Sequence, residues 1–114
     1  YSQAYYSLGN LHMFQSGARN EAKAVPWYRK AAMRGHPEGQ FLLGMILFSS
    51  KVVPQDRTEA YMWLALAARG GSHLARHTMV KLLGDFTPEQ IETGTARADA
   101  WKPVRKDPPL SPGR

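Results

Sequence analysis

The chain has 114 residues, a formal net charge of +6 and no cysteine. That length holds one domain, and the missing thiols exclude disulfides, thiolate metal sites and cysteine nucleophiles. The longest apolar stretch, Phe41 to Phe48, falls far short of the ~20 residues a helical membrane span needs.

Alanine, leucine and methionine are common and β-branched runs are few, which favours helix throughout. In the first predicted helix, Ala4 is followed by Leu8-Gly9. Small residues four to five apart on one face invite close approach by a neighbour. A second helix carries Ala24, Trp27/Tyr28 and Ala31 at i, i+3/i+4, i+7, one apolar stripe. Asn20 suits its N-cap, and Arg34-Gly35 suit its end. Pro26 removes a backbone donor, so this helix is expected either to start near Val25 or to kink.

The pattern then recurs. Gly39 precedes Leu43-Gly44; Ala60, Trp63/Leu64 and Ala67 repeat the stripe; Arg69 to Gly71 repeat the ending. Asp56 and Glu59 have capping-box spacing. Self-similarity at 35 to 36 residues marks a helical solenoid. The expected division is repeat 1 over about 1–36 and repeat 2 over about 37–72. A third A-type helix follows over about 73–84, with Ala75, Met79 and Val80 in the places of Gly39, Leu43 and Gly44. Thr87 as N-cap, Pro88 as first helical residue and Gln90 as reciprocal cap open a last helix, about 87–101. Ile91, Thr95/Ala98 and Trp101 would face inward and cover the end of the stack. This makes 1–102 one helical-repeat domain. Residues 103–114 hold four of the eight prolines and are expected to be extended. Tyrosines crowd the uncapped start, at Tyr1, Tyr5 and Tyr6, as though further repeats preceded it.

Catalytic patterns are absent. The serines have no Gly-x-Ser-x-Gly setting, and the dispersed glycines form no phosphate cradle. Glu89 and Glu92 read as a match to a helix dipole and not as a glycosidase pair. His73 and His77 have the spacing of metal ligands on one helical face, but no third ligand stands near. The expectation is a non-enzyme without cofactor or metal. Its positive charge leaves one alternative, a basic surface that binds nucleic acid, an anionic membrane or a polysaccharide; the cations are scattered, so nucleic acid is disfavoured.

In their joint spacing, these residues resemble the Sel-one-like repeat family, relatives of the tetratricopeptide repeats. The matching positions are Ala4, Leu8-Gly9, Lys23-Ala24, Trp27-Tyr28, Lys30-Ala31-Ala32 and Gly35, then Leu43-Gly44, Val53-Pro54-Gln55-Asp56, Glu59-Ala60, Trp63, Ala67-Ala68 and Gly71. The closing run from Phe86 to Trp101 is similar to the C-terminal cap of bacterial members. Residues up to Trp101 are covered. The resemblance implies an all-α protein, a right-handed α-α superhelix of antiparallel helix pairs with a C-terminal capping helix. It implies a non-catalytic scaffold or adaptor for a protein or peptide partner; the compartment is left open between bacterial cytoplasm and periplasm. The sequence departs from the family's pattern in having no Gly-x-Gly before Val53-Pro54 and in Pro26, and it lacks the disulfide that some members carry in each repeat.

In tetratricopeptide stacks the A helices line a concave groove. Carried over by register, the resemblance places Gln3, Tyr6, Asn10 and Met13, then Glu38, Phe41, Met45 and Phe48, then Leu74, His77 and Lys81 in that groove. Tyr6, Met13, Phe41, Met45 and Phe48 would form an apolar strip for an extended peptide or partner helix, with Asn10, His77 and Lys81 at its polar edges.

Overall fold

The computed structural model describes residues 2–14 and 20–103. The described residues form six α-helices and one turn of 3₁₀ helix, with no strand: α1 Ser2–Phe14, α2 Glu21–Met33, α3 Pro37–Ser49, α4 Arg57–Arg69, α5 His73–Leu82, the 3₁₀ turn Leu83–Asp85, and α6 Pro88–Ala100. Residues 103–114 lie outside them except for Pro103, so the expected extended tail has no structural counterpart here.

Local chemistry sets each boundary. Asn20, Asp56, Ser72 and Thr87 accept the N–H three residues on, from Lys23, Glu59, Ala75 and Gln90; each such cap contributes ~1 kcal/mol. Only Thr87 has its reciprocal partner, the Gln90 side chain accepting the Thr87 N–H at 2.9 Å. Glu59 does not close the box on Asp56; its carboxylate goes elsewhere, as described below. Pro26 neither delays nor ends α2, which begins at Glu21. The ring lies in the second turn and is exposed, so the helix forgoes one backbone bond there.

In each pair the second helix, the B helix α2 or α4, ends in the same way where it leads into the next A helix, α3 or α5. Gly35 and Gly71 have φ of +89° and +105°, a left-handed turn that glycine takes without steric cost. The Gly35 and His36 N–H groups donate to Ala32 and Ala31, and the Gly71 and Ser72 N–H groups to Ala68 and Ala67. This is a Schellman ending, twice over. Within each pair the N–H that precedes the B helix donates to the last turn of the A helix, Asn20 to Met13 and Asp56 to Leu47. Where relatives have Gly-x-Gly before Val53-Pro54, the Ser50 hydroxyl organises the turn. It accepts from the Val52 and Val53 N–H groups and donates to Glu21 at 2.6 Å.

Each helix packs on the next, α1 on α2 and so on to α5. The core runs through Tyr28, Leu43, Ile46, Leu47, Leu64 and the alanine stripes. Ala24, Ala31, Ala60 and Ala67 are fully buried, so the repeated small residues are the contact points between layers. The A-helix glycines meet their B helices there: a Cβ on Gly9 would lie 2.5 Å from the Tyr28 ring, and one on Gly44 3.1 Å from Leu64 Cγ. Burying each large aliphatic contributes about 1.5–3 kcal/mol.

The two tryptophans are equivalent in sequence but differ in cover. Trp27 is half-buried, stacked with Tyr5 and His12 of α1. Trp63 is buried, edge-on to Trp101 at 6.0 Å. The added cover comes from the closing helix. α6 packs mainly on α4: Gly94 and Ala98 are buried, Gly94 lies beside Tyr61 and the Thr58 carbonyl, and Asp99 pairs with Arg69 at 2.8 Å. The stack therefore closes over α4 and leaves part of α5 open.

Candidate partner-binding surface

The residues expected to line the groove fall into two groups. In repeat 1 they are largely internal. Met13 is 2 % exposed and belongs to the core, which corrects its assignment to the partner-binding strip. The last turn of α1 is drawn against α2 by the Asn20–Met13 bond, which turns that side chain inward. Asn10 is half-buried and accepts a hydrogen bond from the Tyr28 hydroxyl. Tyr6 is half-buried, its ring stacked on His36 at 4.8 Å and tilted against Tyr28. Gln3 is exposed and reaches His36 Nε2 at 3.1 Å.

In repeat 2 and α5 the strip is more open. Phe41, Met45 and Phe48 are half-buried on α3, and Glu38, Leu74, His77 and Lys81 are exposed. Phe48 packs on Phe86 at 5.3 Å, and the Arg57 guanidinium lies over its ring at 4.4 Å. Phe41 instead helps line a cleft of about 410 Å³ with Pro37, Glu38, the Gly70–Gly71 turn and the start of α5 through Leu74.

The cleft follows from one difference between the repeats. His36 and Ser72 are both N-caps. The His36 Nδ1 accepts the Gly39 N–H at 3.1 Å, and Ser72 Oγ accepts that of Ala75 at 3.0 Å. With Nδ1 accepting, Nε2 carries the proton and donates to Gln3. The imidazole thus fills the space between α1 and the α2–α3 turn, held by Tyr6 and Gln3. One repeat on, Phe41 and Glu38 stand for Tyr6 and Gln3, and the smaller Ser72 leaves the equivalent space open. Burial lowers the His36 pKa below 6.5, and Glu38, 3.9 Å away, opposes that shift.

Sequence reasoning missed a second polar cluster. Arg29 of α2 donates to Glu59 of α4 at 2.6 Å, and the Trp63 indole N–H donates to the same oxygen at 2.9 Å. Glu59, whose spacing from Asp56 suggested a capping box, instead uses its carboxylate to tie α4 to α2 through Arg29. His73 and His77 are exposed, and among the described residues no three His, Asp or Glu side chains gather as a metal site would require. Among those residues, too, no helix is long and apolar enough to cross a membrane.

Stacked antiparallel helix pairs with a partly open A-helix face define a helical-repeat solenoid. The family profile described as Sel1 repeat matches residues 2–36 and 37–72, one match per helix pair, and the chain belongs to that family. Sel1 repeats generally mediate protein–protein interaction and are typically non-catalytic modules. No curated protein matches the chain.

Proposed function

We propose that this protein is a scaffold whose A-helix face binds an extended peptide or helix of a protein partner, anchored by one apolar side chain in the cleft between Phe41 and Leu74. The observation that carries this reading is the cleft itself. Its wall is aromatic and aliphatic, at Phe41, Pro37 and Leu74, with Glu38 and His73 at the rim. Such a combination suits an anchored side chain, with polar groups fixing orientation. Met45 continues the apolar surface along α3, and His77 and Lys81 flank it on α5. Tyr6 and Asn10 extend the strip on α1, packed on His36 and Tyr28.

Two variants test it by affinity capture from the source cell with mass spectrometry of what co-elutes. Phe41→Ala removes the wall, and Ser72→His closes the cleft as repeat 1 already does while keeping an N-cap. Both should retain the helical circular dichroism spectrum and lose the captured protein. Retention of the partner by both folded variants refutes the reading. Unfolding of Phe41→Ala alone assigns Phe41 to the core and leaves Ser72→His to decide.

A further inference from the structure

His36 shows what kind of group the space beside an A helix accepts. Its imidazole lies against the Tyr6 ring, 24° from parallel with centroids 4.8 Å apart. Nδ1 accepts the Gly39 N–H, so Nε2 donates to Gln3 Oε1 at 3.1 Å. The filling is thus a flat ring, stacked on an aromatic residue, whose one N–H meets a side-chain oxygen. One repeat on, the same two partners recur with no ring between them: Phe41 stands for Tyr6 and Glu38 for Gln3. Among the described residues that line the cleft, Glu38 carries the one carboxylate, and no Lys or Arg is present. The remaining wall is more apolar than in repeat 1. Phe41 lacks the tyrosine hydroxyl, and Pro37 and Leu74 face the same space.

We propose that the partner's anchor in this cleft is a tryptophan, its indole stacked on Phe41 and its N–H donated to the Glu38 carboxylate. The inference rests on the reading that the Phe41 cleft is the binding site, and narrows its occupant to one side chain. A stacked ring with a single N–H donor is what repeat 1 supplies from its own chain. The apolar walls select the larger ring, since an indole buries more apolar area than an imidazole while keeping one donor. Leucine and phenylalanine would leave Glu38 without a donor. Arginine would place a charged head against Pro37 and Leu74, where its desolvation is costly. The chain already joins the two proposed groups once, the Trp63 indole donating to the Glu59 carboxylate at 2.9 Å.

The probe is the acetylated and amidated pentapeptide Ala-Ala-Trp-Ala-Ala, titrated to millimolar concentration into the isotope-labelled full chain. The readout is the NMR shift of the Phe41, Gly71 and Leu74 amides, which should move and saturate. Methylating the indole nitrogen keeps the ring and removes the N–H, and should weaken binding at least about fivefold. A leucine peptide should bind at least about tenfold more weakly. In the protein, Glu38→Ala should cost the tryptophan peptide about fivefold and leave the affinity of the N-methyl peptide as it was. Glu38→Gln, the acceptor repeat 1 uses, should restore most of the loss. The Glu38 side chain is 68 % exposed, so both variants should keep the helical circular dichroism spectrum. Ser72→His should abolish the shifts. The proposal is overturned if the tryptophan peptide leaves these amides unmoved or still binds Ser72→His. It is overturned if the N-methyl or leucine peptide binds as tightly, if an arginine or tyrosine peptide binds more tightly, or if Glu38→Ala weakens both indole peptides equally. In each of these cases the cleft itself stands as the site when Phe41→Ala and Ser72→His lose the captured protein, and falls when both retain it.

Discussion

Replacing Gly9 by alanine sets two effects of opposite sign against each other. In a helix interior alanine is favoured over glycine by about 1 kcal/mol. The new methyl, however, would stand 2.5 Å from two carbons of the Tyr28 ring, where ordinary contact needs about 3.5–4.0 Å. Either α1 or the ring must retreat by roughly 1 Å. The ring has little room, being 1 % exposed with its hydroxyl held by Asn10. Overpacking of this kind costs about 1–3 kcal/mol, and a rigid obstacle puts it in the upper part of that range. The net loss is then about 1–2 kcal/mol, or roughly 4–10 °C in Tm for a domain of this size. Thermal unfolding by far-ultraviolet circular dichroism measures it. In the cycle with Tyr28→Leu, the double variant should recover at least about 0.5 kcal/mol relative to the sum of the singles. A higher Tm for Gly9→Ala, or strict additivity with Tyr28→Leu, would refute close approach as the reason for glycine at this position.

Three further outcomes are expected. His36 caps α3 through an unprotonated Nδ1, and burial lowers its pKa, so the unfolded chain binds the proton more readily. Its contribution is complete above about 6.5 and is lost as pH falls from there through the folded pKa; His36→Asn, which keeps a cap, should flatten Tm against pH in that interval. Trp101→Ala removes a half-buried ring from Trp63 and should cost about 2 kcal/mol, below the 3–5 of a fully buried aromatic. In a Trp27→Phe background the Trp63 emission should shift to the red; an unshifted spectrum contradicts the edge contact. Glu59→Gln loses the charge facing Arg29, whose side chain is 39 % exposed, and should cost about 1 kcal/mol or less, in denaturant titration, with the difference shrinking at high salt.

How much of this was legible in the letters follows the range of the forces involved. Asn20, Asp56 and Thr87 act within three residues of themselves, so their caps are readable locally. The alanines and glycines recur because two layers meet there, and recurrence revealed them. Met13 and Phe48 occupy matching places, yet one is core and the other half-buried; register alone carries no information about how tightly each turn is drawn to its neighbour. Glu59 shows the same limit, since its carboxylate goes to Arg29 and Trp63 while the Asp56 N–H goes to Leu47. The cleft at Phe41 depends on Ser72 being smaller than His36, a difference visible in the sequence but meaningful only once both are known to point between layers.

The placement of Trp101 bears on cooperativity. Its ring lies on Trp63, and its Cη2, like Pro103 Cβ, sits 3.9 Å from where a Cβ on Gly35 would stand. Linear repeat arrays couple only adjacent units and can fray from either end. Here the residues that follow α6 return past α5 to the turn between α2 and α3, like a buckle on a strap. Loosening α6 must therefore disturb that turn as well, and the two repeats should melt together.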